Sequence, residues 1–120
     1  IDESNIWLIP PFGASLVLVM AVYDSPLASP KNVFFGHVLS ASSGVIMFYF
    51  FENNALSIAL GLALAIMAMQ MTNTIHPPAG ANPIIAILGE KTFEFVIMPV
   101  AIGALFILIF ALIYNKVWNR

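Results

Sequence analysis

The chain alternates long apolar runs with short polar breaks. Three runs contain no aspartate, glutamate, lysine or arginine, and they cover residues 33–51, 53–89 and 95–115. A helix needs about 20 mostly apolar residues to cross the hydrocarbon core of a bilayer. Each run is about that long or longer, so the pattern predicts helices that span a membrane.

Proline, glycine and polar residues divide the chain into five predicted apolar segments. Strands of a transmembrane barrel are about 10 residues long and alternate in polarity, whereas these segments are apolar on all sides. We therefore predict an all-α, multi-pass transmembrane bundle of four to five helical segments, forming a single domain over residues 1–120. The segments are 6–23, 32–51, 55–71, a fourth from the irregular stretch 72–78 to about Leu88, and 95–118. The first and fourth are short and broken by proline, and whether they cross fully is open.

Composition agrees with a membrane location. Hydrophobic residues make up 61% of the chain and charged residues 8%, too few charges for the surface of an ordinary soluble domain. The net charge of −2 argues against a basic binding surface, and no nucleic-acid partner is expected. The chain has no cysteine, which excludes disulfides and thiolate chemistry. The expected surrounding is a lipid bilayer, and no cofactor or metal is expected.

Basic residues predict an orientation. Cytoplasmic loops accumulate lysine and arginine, which places Lys116 and Arg120 inside. Alternate crossings then place Lys31 inside and Glu52 outside. Lys91, which falls in an outer loop, is the exception.

A short motif occurs twice. The sequence PPFGAS at 10–15 matches PPAGAN at 77–82, which follows 67 residues later, and the same spacing relates Gly36 to Gly103. A unit of three crossings must enter the membrane in opposite directions when it is repeated, as in inverted-repeat transporters. We therefore predict an inverted repeat and expect a further helix upstream of Ile1.

The repeated motif has the physical features of an anion site. Proline suits the first turn of a helix, so each Pro-Pro pair predicts a helix start preceded by irregular backbone. Free N–H groups and the helix dipole attract anions there, and no carboxylate lies inside the apolar runs to hold a cation. The predicted substrate-binding residues are Gly13, Ala14, Ser15, Asn73, Thr74, His76, Pro77, Pro78, Gly80, Ala81 and Asn82. No catalytic residue is predicted.

Structural roles compete with these functional ones. His76 could bond only a loop carbonyl, although its place beside the motif favours a role in the pathway. For His37 we favour a structural role, with its side chain reaching towards the cytoplasmic interface. Two sets of small residues spaced by four predict helix-packing stripes: Gly36, Ser40 and Gly44 on the second segment, and Ala55, Ala59 and Ala63 on the third.

The motifs also resemble a known family. The stretches 11–15, 24–30 and 74–81, together with Asn32 and the closing Tyr114-Asn115, are similar to the HPP family of integral membrane proteins, named for its His-Pro-Pro motif. The resemblance covers nearly the whole chain. It implies a small membrane domain, often described as four helices, with members in the bacterial inner membrane and in chloroplasts. Some members are implicated in nitrite transport, and some carry cytosolic CBS domains.

The leading hypothesis is membrane transport of a small inorganic anion, by a channel or a secondary transporter, with nitrite implied by the family likeness. The alternative is a non-transporting anchor or sensor that acts with a partner domain. An intramembrane enzyme is not expected, because no cysteine or intramembrane carboxylate is present to work with histidine. Substrate identity, ion coupling and assembly into a homo-oligomer stay open.

Overall fold

The computed structural model describes residues 9–119, and within that range the regular structure is entirely helical. Residues 6–8, the start of the first predicted segment, and Arg120 lie outside the described residues. Short 3-10 turns, Pro26–Ala28 and Pro77–Ala81, precede the second and fourth helices. The five helices are α1 (Pro10–Ala21), α2 (Pro30–Phe51), α3 (Ala55–Thr72), α4 (Asn82–Leu88) and α5 (Phe93–Val117). The predicted all-α bundle is confirmed.

Helix length separates the five into two classes. Among the described residues, α2, α3 and α5 are long and apolar enough to cross a membrane. Helix α1 has 12 residues and α4 has 7, which corresponds to about 18 Å and about 10 Å at 1.5 Å per residue. The hydrocarbon core is about 30 Å thick, so neither short helix crosses it alone.

Capping residues explain where the long helices begin and end. The Ser29 side chain accepts from the Asn32 N–H, and Pro30 occupies the first turn, where its missing N–H costs nothing. The Asn54 side chain caps α3 by accepting from the Ser57 N–H. Asn73 then ends α3 in the left-handed region, at φ 55 and ψ 45, a conformation that asparagine tolerates better than most residues.

Helix α2 is packed directly against α4 through small residues. A Cβ added to Gly44 would lie 2.6 Å from the Pro83 Cα and 2.9 Å from the Ala86 Cβ, and one added to Gly36 would lie 2.6 Å from the His76 Cβ. Only glycine permits so close an approach at these two positions. The packing stripe predicted on α2 is therefore confirmed.

The stripe predicted on α3 is wrong. Ala55, Ala59 and Ala63 are exposed, and the buried face of α3 is formed by Ser57, Gly61, Ala65 and Met69. Both sets are spaced by four, and three of the buried residues, Ser57, Gly61 and Ala65, are small as well. Packing against α4 decides which set is buried. A Cβ at Gly61 would lie 3.0 Å from the Ile87 Cδ1, which shows that α4 occupies that side of α3.

The short helices run in opposite directions. Helices α2 and α5 are antiparallel, since Val33 shares a buried cluster with Ile107 and Ala111 whereas Ala41 and Val45 share one with Val96 and Val100. Helix α1 runs parallel to α5, because Phe12 meets Gly103 and the Val19 carbonyl accepts from the Asn115 amide at 3.4 Å. Helix α4 runs parallel to α2, as the contacts of Gly36 and Gly44 show.

The middle of α1 and the first residue of α4 lie at the same depth, because the side chains of Ser15 and Asn82 both bond the His37 ring. In the predicted repeat, α1 and α2 belong to the first unit, and α3, α4 and α5 belong to the second. Each short helix packs on a long helix of the other unit, α1 on α5 and α4 on α2. This exchange is the arrangement that an inverted repeat predicts.

Helix α5 contains a break where the sequence predicts a continuous helix. Met98 leaves the helical region, at φ −139 and ψ 120, within a π-helical segment at Val96–Ala101. Pro99 lies next to it and is buried. Proline lacks the N–H of a helical residue and clashes with the preceding turn, so Pro99 accounts for the break.

Candidate functional site

A cluster of polar side chains is buried where α1 and α4 begin. Its members are Ser15, His37, Ser40, His76 and Asn82, and each is 0% exposed. None of the described aspartate, glutamate, lysine or arginine residues is buried. Polar groups in the interior of a membrane domain are costly, and they mark functional positions more often than polar groups at the surface.

Ser15 joins the two histidines. Its Oγ lies 2.6 Å from the His37 Nε2 and 2.7 Å from the His76 Nε2. The two rings are also neighbours, with centroids 4.9 Å apart, and the Phe12 ring stands edge-on to His37 at 5.3 Å. The serine hydroxyl is therefore held between two imidazoles under an aromatic cover.

Asn82 extends the cluster on the other side of His37. Its Nδ2 lies 2.8 Å from the His37 Nδ1 and 3.0 Å from the Ser40 Oγ. Ser40 in turn donates to the His37 carbonyl at 3.0 Å. Both amide protons of Asn82 therefore have acceptors.

The far end of the cluster fixes the direction of every hydrogen bond. The His76 Nδ1 lies 2.8 Å from the Leu27 carbonyl, which can only accept, so Nδ1 carries a proton. In a neutral ring the His76 Nε2 then accepts from Ser15. Ser15 has one proton, so it accepts from the His37 Nε2–H, and the His37 Nδ1 accepts from Asn82. The chain runs one way, from Asn82 through His37, Ser15 and His76 to Leu27.

One atom in this cluster has no partner. The Asn82 Oδ1 is the buried side-chain oxygen or nitrogen that lacks a hydrogen bond among the described residues. Buried carbonyl oxygens are almost always paired. An acceptor in the middle of the bundle is therefore open to a donor.

Local sequence explains how His76 reaches the cluster. The backbone of His76 is extended, at φ −138 and ψ 99, because α3 has ended and Pro77 follows. The Asn32 amide donates to the Ile75 carbonyl at 2.7 Å, and Gly36 leaves room for the His76 Cβ. Helix α2 thus holds the His-Pro-Pro stretch in place.

A cavity lies between the end of α1, the following turn and α5. Its volume is about 350 Å³, and Pro26 and Ala28 line it on either side of Leu27. The lining is mixed, and its polar members are Tyr23, Asp24, Ser25, Ser29 and Asn115. The hydrogen-bonded chain therefore ends on a turn that borders a cavity near the predicted cytoplasmic side.

The structure brings together three of the predicted site residues, Ser15, His76 and Asn82, in the cluster. Pro78 is buried next to it, and Thr74 is buried but bonds the Thr72 hydroxyl at 2.7 Å. Gly80 and Ala81 are half-buried. The remaining predicted site residues are exposed at the surface of the chain: Gly13, Ala14, Asn73 and Pro77.

For two members of the cluster, His37 and Ser40, the sequence predicts other roles. His37 does not reach towards the interface as predicted, because its side chain is fully buried between Ser15 and Asn82. Ser40 was assigned to packing alone. The available signal was a histidine followed three residues later by serine inside an apolar run, which places two polar groups on one helix face.

The expected backbone anion site is also corrected. Prolines 10, 11, 77 and 78 have no N–H, and the next N–H groups are taken, by Phe12 to the Ile9 carbonyl at 3.0 Å and by Ala79 to the His76 carbonyl at 2.9 Å. The donors at this site therefore come from side chains. The described residues contain no group of three or more histidine, aspartate or glutamate side chains that could hold a metal ion.

Comparison with known proteins agrees with this architecture. A model of the HPP transmembrane region matches residues 1–120. Two transmembrane proteins of Dictyostelium discoideum are 41% and 37% identical to the chain, each over 97% of it. The chain spans 44% and 40% of the length of these relatives, and no solved structure matches it. The chain is an integral membrane protein domain, and it belongs to the HPP family.

Proposed function

We propose that the domain transports a small inorganic anion across its membrane, through the place where α1 and α4 begin. The observation that carries this proposal is the pair of short helices, which start at one buried polar cluster and run towards opposite faces. Broken helices that meet near the midplane of inverted repeats are typical of substrate sites in transporters.

The chemistry of the cluster favours an anion over a metal cation. Its side chains are imidazole, hydroxyl and amide groups, and none of them is acidic. Imidazole and amide groups can donate to an oxyanion once the cluster opens.

Nitrite is the first substrate to test, and it rests on the likeness to family members implicated in nitrite transport. It is small, planar and singly charged, which suits a site formed by a few side chains. A location in the bacterial inner membrane or the chloroplast envelope rests on the same likeness. We do not propose an enzymatic reaction, since the cluster offers no acid to pair with its histidines.

The close packing of the site favours a second candidate, a membrane anchor or sensor. All five cluster side chains are fully buried, and the chain spans less than half of the relatives it matches. In that case the cluster would serve to fix the helices, and a partner domain would carry the activity.

Nitrite uptake by purified protein in proteoliposomes separates the two. Uptake above that of protein-free vesicles is expected, together with a loss of about 5- to 150-fold in His76→Ala, since a lost hydrogen bond to a buried group costs about 1–3 kcal/mol. Ser43→Ala is the matched control, because the Ser43 hydroxyl is buried but bonds only the Leu39 carbonyl of its own helix. Folded protein without nitrite uptake would favour the anchor, and equal uptake by wild type and His76→Ala would remove His76 from the path.

A further inference from the structure

The unpaired Asn82 Oδ1 determines which kind of ligand the cluster can bind in the structure as it stands. It is an acceptor, so it repels an anion and would be satisfied by a donor. Every polar hydrogen of the cluster is already bonded, to His37, Ser40, Ser15, His76 or a carbonyl. As described, the site has neither a free donor nor a positive charge for an anion.

One added proton reverses both properties. The proton bonds to the lone pair of the His37 Nδ1, which now accepts from the Asn82 Nδ2. A half-turn of the Asn82 amide places Oδ1 on the new Nδ1–H, and the unpaired atom gains a partner. The Ser40 hydroxyl, which accepts from Nδ2 at 3.0 Å and donates to the His37 carbonyl, turns away from that carbonyl and donates to Oδ1 instead. The Asn82 NH₂ then occupies the former position of Oδ1 as a free donor, and the cluster carries one positive charge.

The same proton can pass to the other histidine through Ser15. The protonated His37 gives its Nε2 proton to the Ser15 Oγ, and Ser15 gives its own proton to the His76 Nε2. One N–H bond breaks and one forms, and the charge moves from one ring to the other. His76 bonds the Leu27 carbonyl, beside the cavity lined by Pro26 and Ala28. The proton therefore has a path of hydrogen bonds towards one side of the domain.

No other titratable group faces the two rings within the described part of the chain. Helix α1 contributes Ser15 and Phe12, α4 contributes Asn82, and the turn before α2 contributes the Leu27 carbonyl. The other described titratable residues lie in turns or near helix ends: Tyr23, Asp24, Lys31, Tyr49, Glu52, Glu90, Lys91, Glu94, Tyr114 and Lys116. The charge of the site is therefore set by the two histidines.

We propose that the anion and a proton cross together, and that the cluster binds the anion only after it has taken up one proton on the His37–Ser15–His76 chain. This rests on the proposed anion transport and adds the proton as its second substrate. Without the proton, a single negative charge would enter an apolar interior that offers no compensating charge. With it, the site and the anion are together neutral.

Two measurements test the coupling, and the first needs no transport. Nitrite binding to the purified protein in detergent is measured between pH 6 and 8, where nitrite itself stays ionised. One proton per anion predicts an affinity that weakens about tenfold for each unit of rising pH, by linkage. An affinity that is independent of pH would overturn the coupling, and it would leave the binding of nitrite intact.

The second measurement follows nitrite uptake and internal pH in the same proteoliposomes. One proton should enter with each nitrite, with no response to an imposed membrane potential, after subtraction of nitrous acid leakage in protein-free vesicles. The rate of proton-coupled uptake should be at least tenfold lower in Ser15→Ala than in the wild type, whereas Ser43→Ala should keep the wild-type rate. Potential-driven nitrite uptake without proton entry would overturn the coupling alone, and the absence of protein-dependent uptake would overturn the proposed transport as well.

Discussion

Replacing Gly44 with alanine should separate α2 from α4. The added Cβ would lie 2.6 Å from the Pro83 Cα and 3.0 Å from the Pro83 carbonyl oxygen, whereas carbon atoms in ordinary contact are about 3.5–4.0 Å apart. The obstructing atoms belong to backbone, so no side chain can turn away. Helix α4 must shift, and Asn82, which directly precedes Pro83, shifts with it.

The matched control is Gly13→Ala, because Gly13 is also helical and a Cβ there would meet nothing within 4 Å. Alanine favours a helix over glycine by up to about 1 kcal/mol, and this gain applies to both variants. Overpacking costs about 1–3 kcal/mol and applies to Gly44 alone. The free energies of unfolding of the two variants should therefore differ by about 1–3 kcal/mol, or about 5- to 150-fold in the unfolding constant.

Reversible unfolding in mixed detergent micelles, followed by circular dichroism, measures this difference. Nitrite uptake in proteoliposomes should fall in Gly44→Ala as well, because the Asn82 amide leaves its 2.8 Å contact with the His37 ring. Equal unfolding free energies for the two variants, within about 0.5 kcal/mol, would refute the close α2–α4 contact. Stability lost without any effect on uptake would show that the position of Asn82 does not limit transport.

Two further predictions concern the loop and the orientation. Asn32→Ala removes the 2.7 Å hydrogen bond to the Ile75 carbonyl. It should lower the free energy of unfolding by about 1 kcal/mol and speed the hydrogen exchange of the His76 amide. Unchanged exchange would contradict the inference that α2 holds the His-Pro-Pro stretch in place. The chain lacks cysteine, so a single cysteine can be placed at the exposed Asn53 or Asn119 and labelled with a membrane-impermeant maleimide. The cysteine at 53 should react from the outer side and the cysteine at 119 from the cytoplasmic side. Reaction of both from the same side would exclude an odd number of crossings between them.

The helices could be predicted from sequence because the signals were local. Run length identified the three long helices, and the proline pairs identified the start of α1 and the 3-10 turn Pro77–Ala81 that leads into α4. The buried face of α3 could not be predicted, because that helix is apolar on all sides and two stripes of small residues compete. Only the tertiary contact of Gly61 with Ile87 selects one of them.

The site could be predicted in part. Ser15, His76 and Asn82 lie in or next to the repeated motif, which made them visible. The sequence predicts that His37 reaches the interface, because it lies only about a turn and a half into the second segment. Since α1 begins inside the bundle, its sixth residue, Ser15, meets α2 at His37, about two turns beyond the start of α2.

The repeat conserves positions for packing but not the chemistry of the site. Ser15 and Asn82 occupy equivalent places and both bond His37, and the equivalent Gly36 and Gly103 each receive the motif region of the other unit. The histidines break this symmetry, because the positions equivalent to His76 and His37 are Ile9 and Ala104. A symmetric scaffold could conduct equally towards both faces. The added imidazoles continue the hydrogen-bonded chain towards Leu27 alone, so the proton path, unlike the helices, has a direction.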